Sequence, residues 1–367
     1  MAGSYDREIF DGENPYTVGI ELELRLLDMD TLLPANRSPV IFDSLPENLS
    51  PYVHKELLQS MIEVVTPVCK DATDAVDFIS DALTEIVSIC RRNGIYLAAL
   101  ATHPFEKKED NERFHDPRYE AFAIELQSIL KNFLISGLHI HVAMPDEKSA
   151  IEAYNASIEY LPIFLALSAN SPYNQGEDTG LDSYRSEIFE RLPRAGIPQY
   201  FDSYEKYCSL IDRLRETGTI ESIKDVWWDV RIHQKFGTIE LRVCDAFYDR
   251  ERLTLIALFY RSLLEYASRH GSHERYQQIN KQNKWNAVRH GLDGKFIDGC
   301  RVLTIREKAH ELVDAIDSDG IFARQGYPEG ADSLHELIEK RSIADKLREI
   351  YSESGDFRKV IEEEVIG

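Results

Sequence analysis

The chain is poor in the residues that make cross-links and membrane spans. Its 367 residues include five cysteines, at Cys69, Cys90, Cys208, Cys244 and Cys300. None forms a C-x-x-C pair and an odd number cannot pair completely, which argues against a disulfide framework. Scattered cysteines acting as small apolar residues fit a reducing cytosol, so a cytoplasmic location is expected. No apolar run approaches the roughly 20 residues of a membrane span. The opening M-A-G-S-Y-D-R-E lacks the apolar centre of a signal peptide. Positive charge is also short: 42 lysines and arginines stand against 64 acids, a formal charge of -22. That excludes the basic surface by which nucleic acids are held. It leaves open a nucleotide substrate, because a divalent cation reverses the sign of what phosphates meet. The usual chemical signatures are missing too. There is no G-x-x-x-x-G-K-[ST], no G-x-G-x-x-G after a strand, no G-x-S-x-G and no H-E-x-x-H.

What is present is a set of strands with chemistry on alternate positions. Thr17 to Leu27 alternates without a break. Ile20, Leu22 and Leu24 belong to one face of an extended strand, and Glu21, Glu23 and Arg25 to the other. Leu138 to Val142 sets His139 and His141 on one face. Ile239 to Val243 does the same with Glu240 and Arg242. Together these predict one sheet with a single charged, concave face. Val53 to Val68 can be read two ways. Glu56 and Glu63 lie two helical turns apart, yet the β-branched end at Ile62 to Thr66 favours a strand closing at Pro67. Glu63 sits in an apolar segment, where a charge needs a partner.

Helices are expected over 71–92, 120–133, 147–169, 204–216 and 249–269 from their apolar stripes. Residues 1–16 read as a loose lead-in, and 106–113 as a solvated loop. His103 reads as a structural histidine before a proline turn. Residues 171–200 have little periodicity and carry Arg185, Arg191 and Arg194, which suggests an active-site loop. Val226 to Arg231 and 237–245 could form a hairpin with Arg231 near Glu240 and Arg242. No repeat and no domain boundary is evident. One catalytic domain over 1–367 is expected, its 301–367 part helical.

Glu21, Glu23, Glu56, Glu63, His139 and Glu240 supply five carboxylates and one imidazole. Such oxygen-rich sets suit Mg²⁺ or Mn²⁺ rather than structural zinc. Several divalent ions beside arginines are what phosphoryl transfer requires.

Seven motifs in order carry a family resemblance: V-G-I-E-L-E, S-M-I-E-V-V-T-P-V, T-H-P-F, G-L-H-I-H-V, S-A-N-S-P-Y, W-W-D-V-R and G-T-I-E-L-R-V-C-D. With N-K-W-N-A-V-R-H-G-L-D-G they span residues 15–300. The chain resembles the type 2 glutamate–cysteine ligase family, and within it the bacterial YbdK-type carboxylate–amine ligases. The resemblance implies an α+β, glutamine-synthetase-like catalytic fold: a curved, mostly antiparallel sheet forming an open funnel, with helices on its back. It implies that ATP phosphorylates a carboxylate, in the family the γ-carboxylate of glutamate, and that an amine then attacks the acyl phosphate. It implies Glu21, Glu23, Glu56, Glu63, His139 and Glu240 as Mg²⁺ ligands and His141 beside the ATP phosphates. Arg242 would stabilise the transferred phosphoryl group. Arg185, Arg231 and Arg289 are further candidates for phosphate or substrate carboxylate. It also implies a homodimer with small amino-acid and amine substrates. One departure stands out: the family's proline after W-D-V-R is Ile232 here. Two other readings of the same residues are a guanidine (phosphagen) kinase and a non-catalytic nucleotide sensor.

Overall fold

The structure, a computed structural model, describes residues 10, 14–271 and 276–367. The expected lead-in over 1–16 therefore falls mostly outside the described residues. The strand read first in the sequence, β1 (Val18–Asp28), lies inside a seven-stranded sheet. The others are β2 (Val53–Lys55), β3 (Met61–Val65), β4 (Ile95–Ala98), β5 (Gly137–Ala143), β6 (Val230–His233) and β7 (Thr238–Asp245). Their order is β6-β7-β5-β1-β3-β2, with β4 paired to the far end of β1. Every pairing in it is antiparallel.

Three long helices cover one face: α1 (Ala72–Arg92), α2 (Glu147–Ser168) and α3 (Arg250–His270). Each begins at an aspartate that accepts a backbone N–H three residues on: Asp71 from Asp74, Asp146 from Ser149 and Asp249 from Arg252. This satisfies a donor that the first turn cannot. Against these helices pack Ile20, Leu22 and Leu24, all fully buried. α2 is apolar on nearly every side because it lies between the sheet and the outer helices. One apolar core runs from Val18 to Ile338. Helices fill most of residues 305–363, as expected. The chain then returns to the sheet, where Ile366 N–H donates to Leu97 O at 2.8 Å. Among the described residues no helix is long and apolar enough to cross a membrane.

Several local expectations are resolved or corrected. Val53 to Val68 is a hairpin, not a helix, with His54 opposite Glu63. The β-branched run decides this, since it packs well on a pleated surface. The helix expected over 120–133 is two short ones, Pro117–Leu126 and Ser128–Lys131, broken at Gln127 with φ +44°. Residues 171–200 are not structureless. They hold a two-residue hairpin, the helix Tyr184–Phe189, and a short parallel pairing of Ala195–Gly196 with Trp227–Trp228. Glu106, expected in a solvated loop, is buried against Arg25, at 3.2 Å. His103 is structural: Nε2–H donates to Leu32 O at 2.8 Å, while Nδ1 accepts from the Glu106 N–H at 2.9 Å.

Gly137 opens β5 where the buried Arg185 guanidinium crosses it. A Cβ there would stand 2.2 Å from Arg185 Nη2. Arg185 cannot swing away freely, because its two Nη atoms donate to the carbonyls of Val243 and Arg242, each at 3.2 Å. Gly137→Ala should therefore cost about 1–3 kcal/mol, as overpacking does. Denaturant unfolding of wild type and variant would measure it; an unchanged midpoint would contradict this account.

Candidate active site

The open face of the sheet carries the charged residues, and strand register brings them together. Glu21 lies opposite His139, and Glu23 opposite Glu63. His141 lies opposite Glu240, which lies opposite Arg231. Residues directly opposite in an antiparallel pair share a face. Five strands therefore place Glu21, Glu23, Glu63, His139, His141, Glu240 and Arg231 on one surface. Glu56 joins them from the turn between β2 and β3. A cavity of about 400 Å³ opens over this floor, lined by Glu21, Glu23, Glu56, Glu63, His139 and Arg242 among others. Its remaining wall is largely apolar, with Phe122, Phe189 and Trp227 prominent.

Distances tie the floor into two clusters that share His139. His139 Nδ1 is 3.0 Å from Glu21 Oε2, and its Nε2 is 4.0 Å from Glu23 Oε1. His141 Nε2 is 3.2 Å from Glu21 Oε1 and 4.0 Å from Glu240 Oε1. Donor atoms of Glu21, His139 and Glu240 lie within 4.8 Å of one another, as do those of Glu23, Glu63 and His139. These are oxygen-rich sets with one imidazole, which suits Mg²⁺ or Mn²⁺.

The electrostatics divide the carboxylates. Burial, then neighbouring Glu23 and Glu21, push Glu56 up to about 8. Burial, then Glu21, Glu56 and Glu23, hold Glu63 well above the ordinary carboxyl range. Burial alone would raise Glu21, but His141 and His139 outweigh it and hold it well below that range. Burial would raise Glu240 as well, and Arg231, Arg242 and His141 bring it down instead. Burial lowers His139, aided by Arg242, leaving a neutral ring with a lone pair to offer. Two carboxyls raised by burial and by like charge are acids waiting for a positive partner.

Several predicted residues are committed to holding the site together, whether or not they line its cavity. Glu240 is fully buried and does not line the cavity. Arg231 grips it in fork geometry, Nε to Oε2 at 2.5 Å and Nη2 to Oε1 at 3.2 Å, and Arg242 Nη1 also pairs with Oε1. Arg231 Nη1 donates to the carbonyls of Ile223 and Val226, both at 2.9 Å. Four of its five N–H donors are engaged within the protein, so Arg231 acts first as a positioning residue, although it also lines the cavity. Arg185 lines the cavity wall, but both Nη atoms hold the backbone around Arg242, where the β5–β7 register shifts between Leu241 and Cys244. Arg289 is exposed and lies near Gly180, outside the cavity lining. It sits in the last turn of the helix Gln277–His290, so the structure does not bring it to the cavity with the other expected site residues. Arg194 is spent on the Asp225 carbonyl at 2.9 Å and on the face of Trp227. His141 lies behind Glu21 and does not line the cavity.

Two residues, and one contact of a residue already noted, escaped the sequence reading. His233 lines the cavity, and burial followed by Arg231 lowers it to about 4. Its position two residues beyond Arg231 on one strand was a usable signal. Lys284, inside a motif already singled out, is buried with Nζ 2.8 Å from Asp229 Oδ2 and 2.6 Å from Glu190 Oε1. Asp229 O in turn accepts the Arg242 N–H at 2.8 Å, so this ion pair steadies Arg242. Ile232, the departure noted after W-D-V-R, donates its N–H to Tyr207 Oη at 3.1 Å, a bond proline could not make.

Comparison with known proteins gives this geometry a context. Residues 17–363 match the family model described as glutamate–cysteine ligase family 2. A protein of Gloeobacter violaceus, provisionally named glutamate–cysteine ligase 2, is 36% identical over 94% of this chain and 95% of its own. One of Rubrobacter xylanophilus, provisionally named glutamate–cysteine ligase 2-1, is 37% identical over 95% of this chain and 94% of its own. Among solved structures, the glutamate–cysteine ligase of Francisella tularensis in complex with AMP superposes with a TM-score of 0.71 at 13% identity, over 97% of this chain and 89% of that one. The bifunctional glutathione synthetase of Pasteurella multocida gives 0.74 at 17% identity; this chain covers 52% of it, about half its length, and 95% of itself is matched. At those identities the superpositions speak to the fold, an open glutamine-synthetase-like sheet backed by helices. By the extent and identity of the sequence matches, the chain belongs to the glutamate–cysteine ligase family 2.

Proposed function

We propose that this protein is an ATP-dependent carboxylate–amine ligase. It activates a carboxylate, the γ-carboxylate of glutamate, as an acyl phosphate and joins it to an amine as an amide. The observation that carries this reading is the in-register acid and imidazole array beside Arg242 on the cavity floor, in a chain of this family. Glu21, Glu23, Glu56, Glu63 and His139 would hold divalent ions, Mg²⁺ or Mn²⁺, with Glu240 at the rear. Bound there, such ions would neutralise phosphate oxygens and align the triphosphate with the acceptor carboxylate. Arg242 supplies a fixed positive charge where charge develops on the phosphoryl group in flight. Arg231 and Lys284 act through others: one holds Glu240, the other the Asp229 segment behind Arg242. The apolar wall would exclude water, which would otherwise hydrolyse the acyl phosphate before the amine arrives. A carboxylate made electrophilic by phosphorylation needs no enzyme nucleophile, in keeping with the missing nucleophile motifs. A homodimer, implied by the family resemblance, in the reducing cytosol that the scattered cysteines suggest completes the reading.

The direct test is product analysis with ATP, Mg²⁺, glutamate and a panel of amines, cysteine included. ADP, phosphate and an amide should appear together only when both acid and amine are present. A stable phosphorylated product without amide, or no turnover with any amine, would sink the proposal. Arg242→Ala should lower kcat by about 10³-fold or more, and Glu23→Gln should abolish turnover while leaving the far-ultraviolet circular dichroism unchanged.

A pH prediction follows from the raised carboxyls. In the metal-free protein Glu56, at about 8, and the raised Glu63 bind protons in the folded state more tightly than in the unfolded chain. Their contribution to stability is thus fully present below the unfolded carboxyl range and is lost as pH rises through about 8. Mg²⁺ should reverse the trend, because it binds the ionised forms and must expel those protons. Titration calorimetry near pH 7 in two buffers of different ionisation enthalpy should therefore report proton release on Mg²⁺ binding, with affinity rising toward pH 8. Buffer-independent heats would contradict the assignment.

A further inference from the structure

Away from the cavity, helices Ile305–Ser318 and Gly330–Glu339 pack side by side. Each presents a histidine and an acid one turn apart, His310 with Asp314 and His335 with Glu339, and the pairs cross. His310 Nε2 lies 2.7 Å from Glu339 Oε1, and His335 Nε2 lies 3.0 Å from Asp314 Oδ1. Both acids are largely exposed, so they are carboxylates that only accept. With each Nε2–H donating to its acid, the two Nδ1 atoms are left to face each other. Those two Nδ1 atoms are 2.6 Å apart, with ring centroids 4.8 Å apart and planes inclined by only 24°. Two lone pairs cannot face each other at that distance unless something positive lies between them.

We propose that His310 and His335 form a binding site for a borderline divalent transition metal of the Zn²⁺ or Ni²⁺ class, ligated through both Nδ1 atoms, with water in the remaining positions. Imidazole nitrogen favours such ions over Mg²⁺. The carboxylates on the far nitrogens supply the outer support typical of metal-bound histidine: they fix the tautomer and raise ring basicity. Side chains 27% and 31% exposed leave an entry path and room for water. The two Nδ1 atoms oppose each other nearly head-on, so with Zn–N bonds of about 2.0–2.1 Å the rings must part to about 4 Å between nitrogens, or turn toward a tetrahedral angle, to admit the ion. Arg306 Nη1, 3.8 Å from Glu339 Oε2, meets the other oxygen of that acid and leaves the Oε1 contact with His310 in place. The site shares no residue with the cavity, and it does not depend on the proposed ligase activity.

Zn²⁺ titration of the full chain under saturating Mg²⁺ tests this. Wild type should bind one equivalent more than His310→Ala or His335→Ala, with a thermal-midpoint increase that both variants lack, and Asp314→Asn should weaken binding about 10–100-fold. Mg²⁺-dependent turnover should be the same in all of these variants. In case alanine unsettles the helix pair, ¹⁵N spectra of wild-type histidines give a second readout: Zn²⁺ should shift the Nδ1 signals of both His310 and His335. Equal stoichiometry in wild type and variants, or Nδ1 signals that Zn²⁺ does not move, would overturn the proposal and leave a shared proton as the occupant.

Discussion

The site depends on a repulsion built into the sheet. Glu23 and Glu63 are direct cross-strand neighbours, Glu21 lies two residues along, and Glu56 overhangs them. Like charges directly opposite on adjacent strands destabilise a sheet, and burial multiplies the penalty. The protein meets this in two ways. It leaves Glu56 and Glu63 protonated, and it places cationic or potentially cationic groups against Glu21 and Glu240. Neither device is free of strain, and both leave a surface that gains when positive charge arrives. The remainder of the fold, from capped helices to the apolar core, keeps these strands from slipping away from each other.

Slippage is the relevant failure, because a one-residue shift in any strand would turn its acids into the core and its leucines out. β1 cannot shift, since Ile20, Leu22 and Leu24 are buried under the helices. β7 is held at its end by Asp245, whose carboxylate accepts from Asn170 N–H, Ser171 Oγ and Ser183 Oγ at 2.7–2.8 Å. Arg185 closes the same region by taking carbonyls that the register shift leaves without a strand partner. Stability and chemistry are therefore hard to separate here. Arg231 illustrates this: it lines the cavity, yet its first task is structural, since without it Glu240 would be a buried charge lacking its fork-like partner.

Much of this was legible from residue order. Period-two alternation in β1, β5 and β7 fixed which side chains share a face, and the antiparallel sheet then brought those faces into one surface. The family motifs located the same residues independently. What stayed hidden were partners supplied by distant backbone. Nothing near Arg231 announces that the carbonyls of Ile223 and Val226 will consume its donors. Nothing near Glu106 announces that Arg25 will bury it. Val53 to Val68 was ambiguous because a seven-residue spacing of glutamates suits a helix as well as a hairpin, and only the branched side chains between them break the tie. Gln127 interrupts a helical pattern with a left-handed backbone turn that its sequence neighbours do not encode.

The place of β1 in the sheet has a consequence for how the chain is made. It leaves the ribosome before two of its partners, β4 and β5, which begin at Ile95 and Gly137. Until they emerge, much of an eleven-residue strand with six buried aliphatic side chains stays unpaired. Contacts of such long sequence separation form slowly, and exposed edges of this kind invite association with other chains. The segment that organises the finished catalyst is thus the one most in need of shelter during its synthesis.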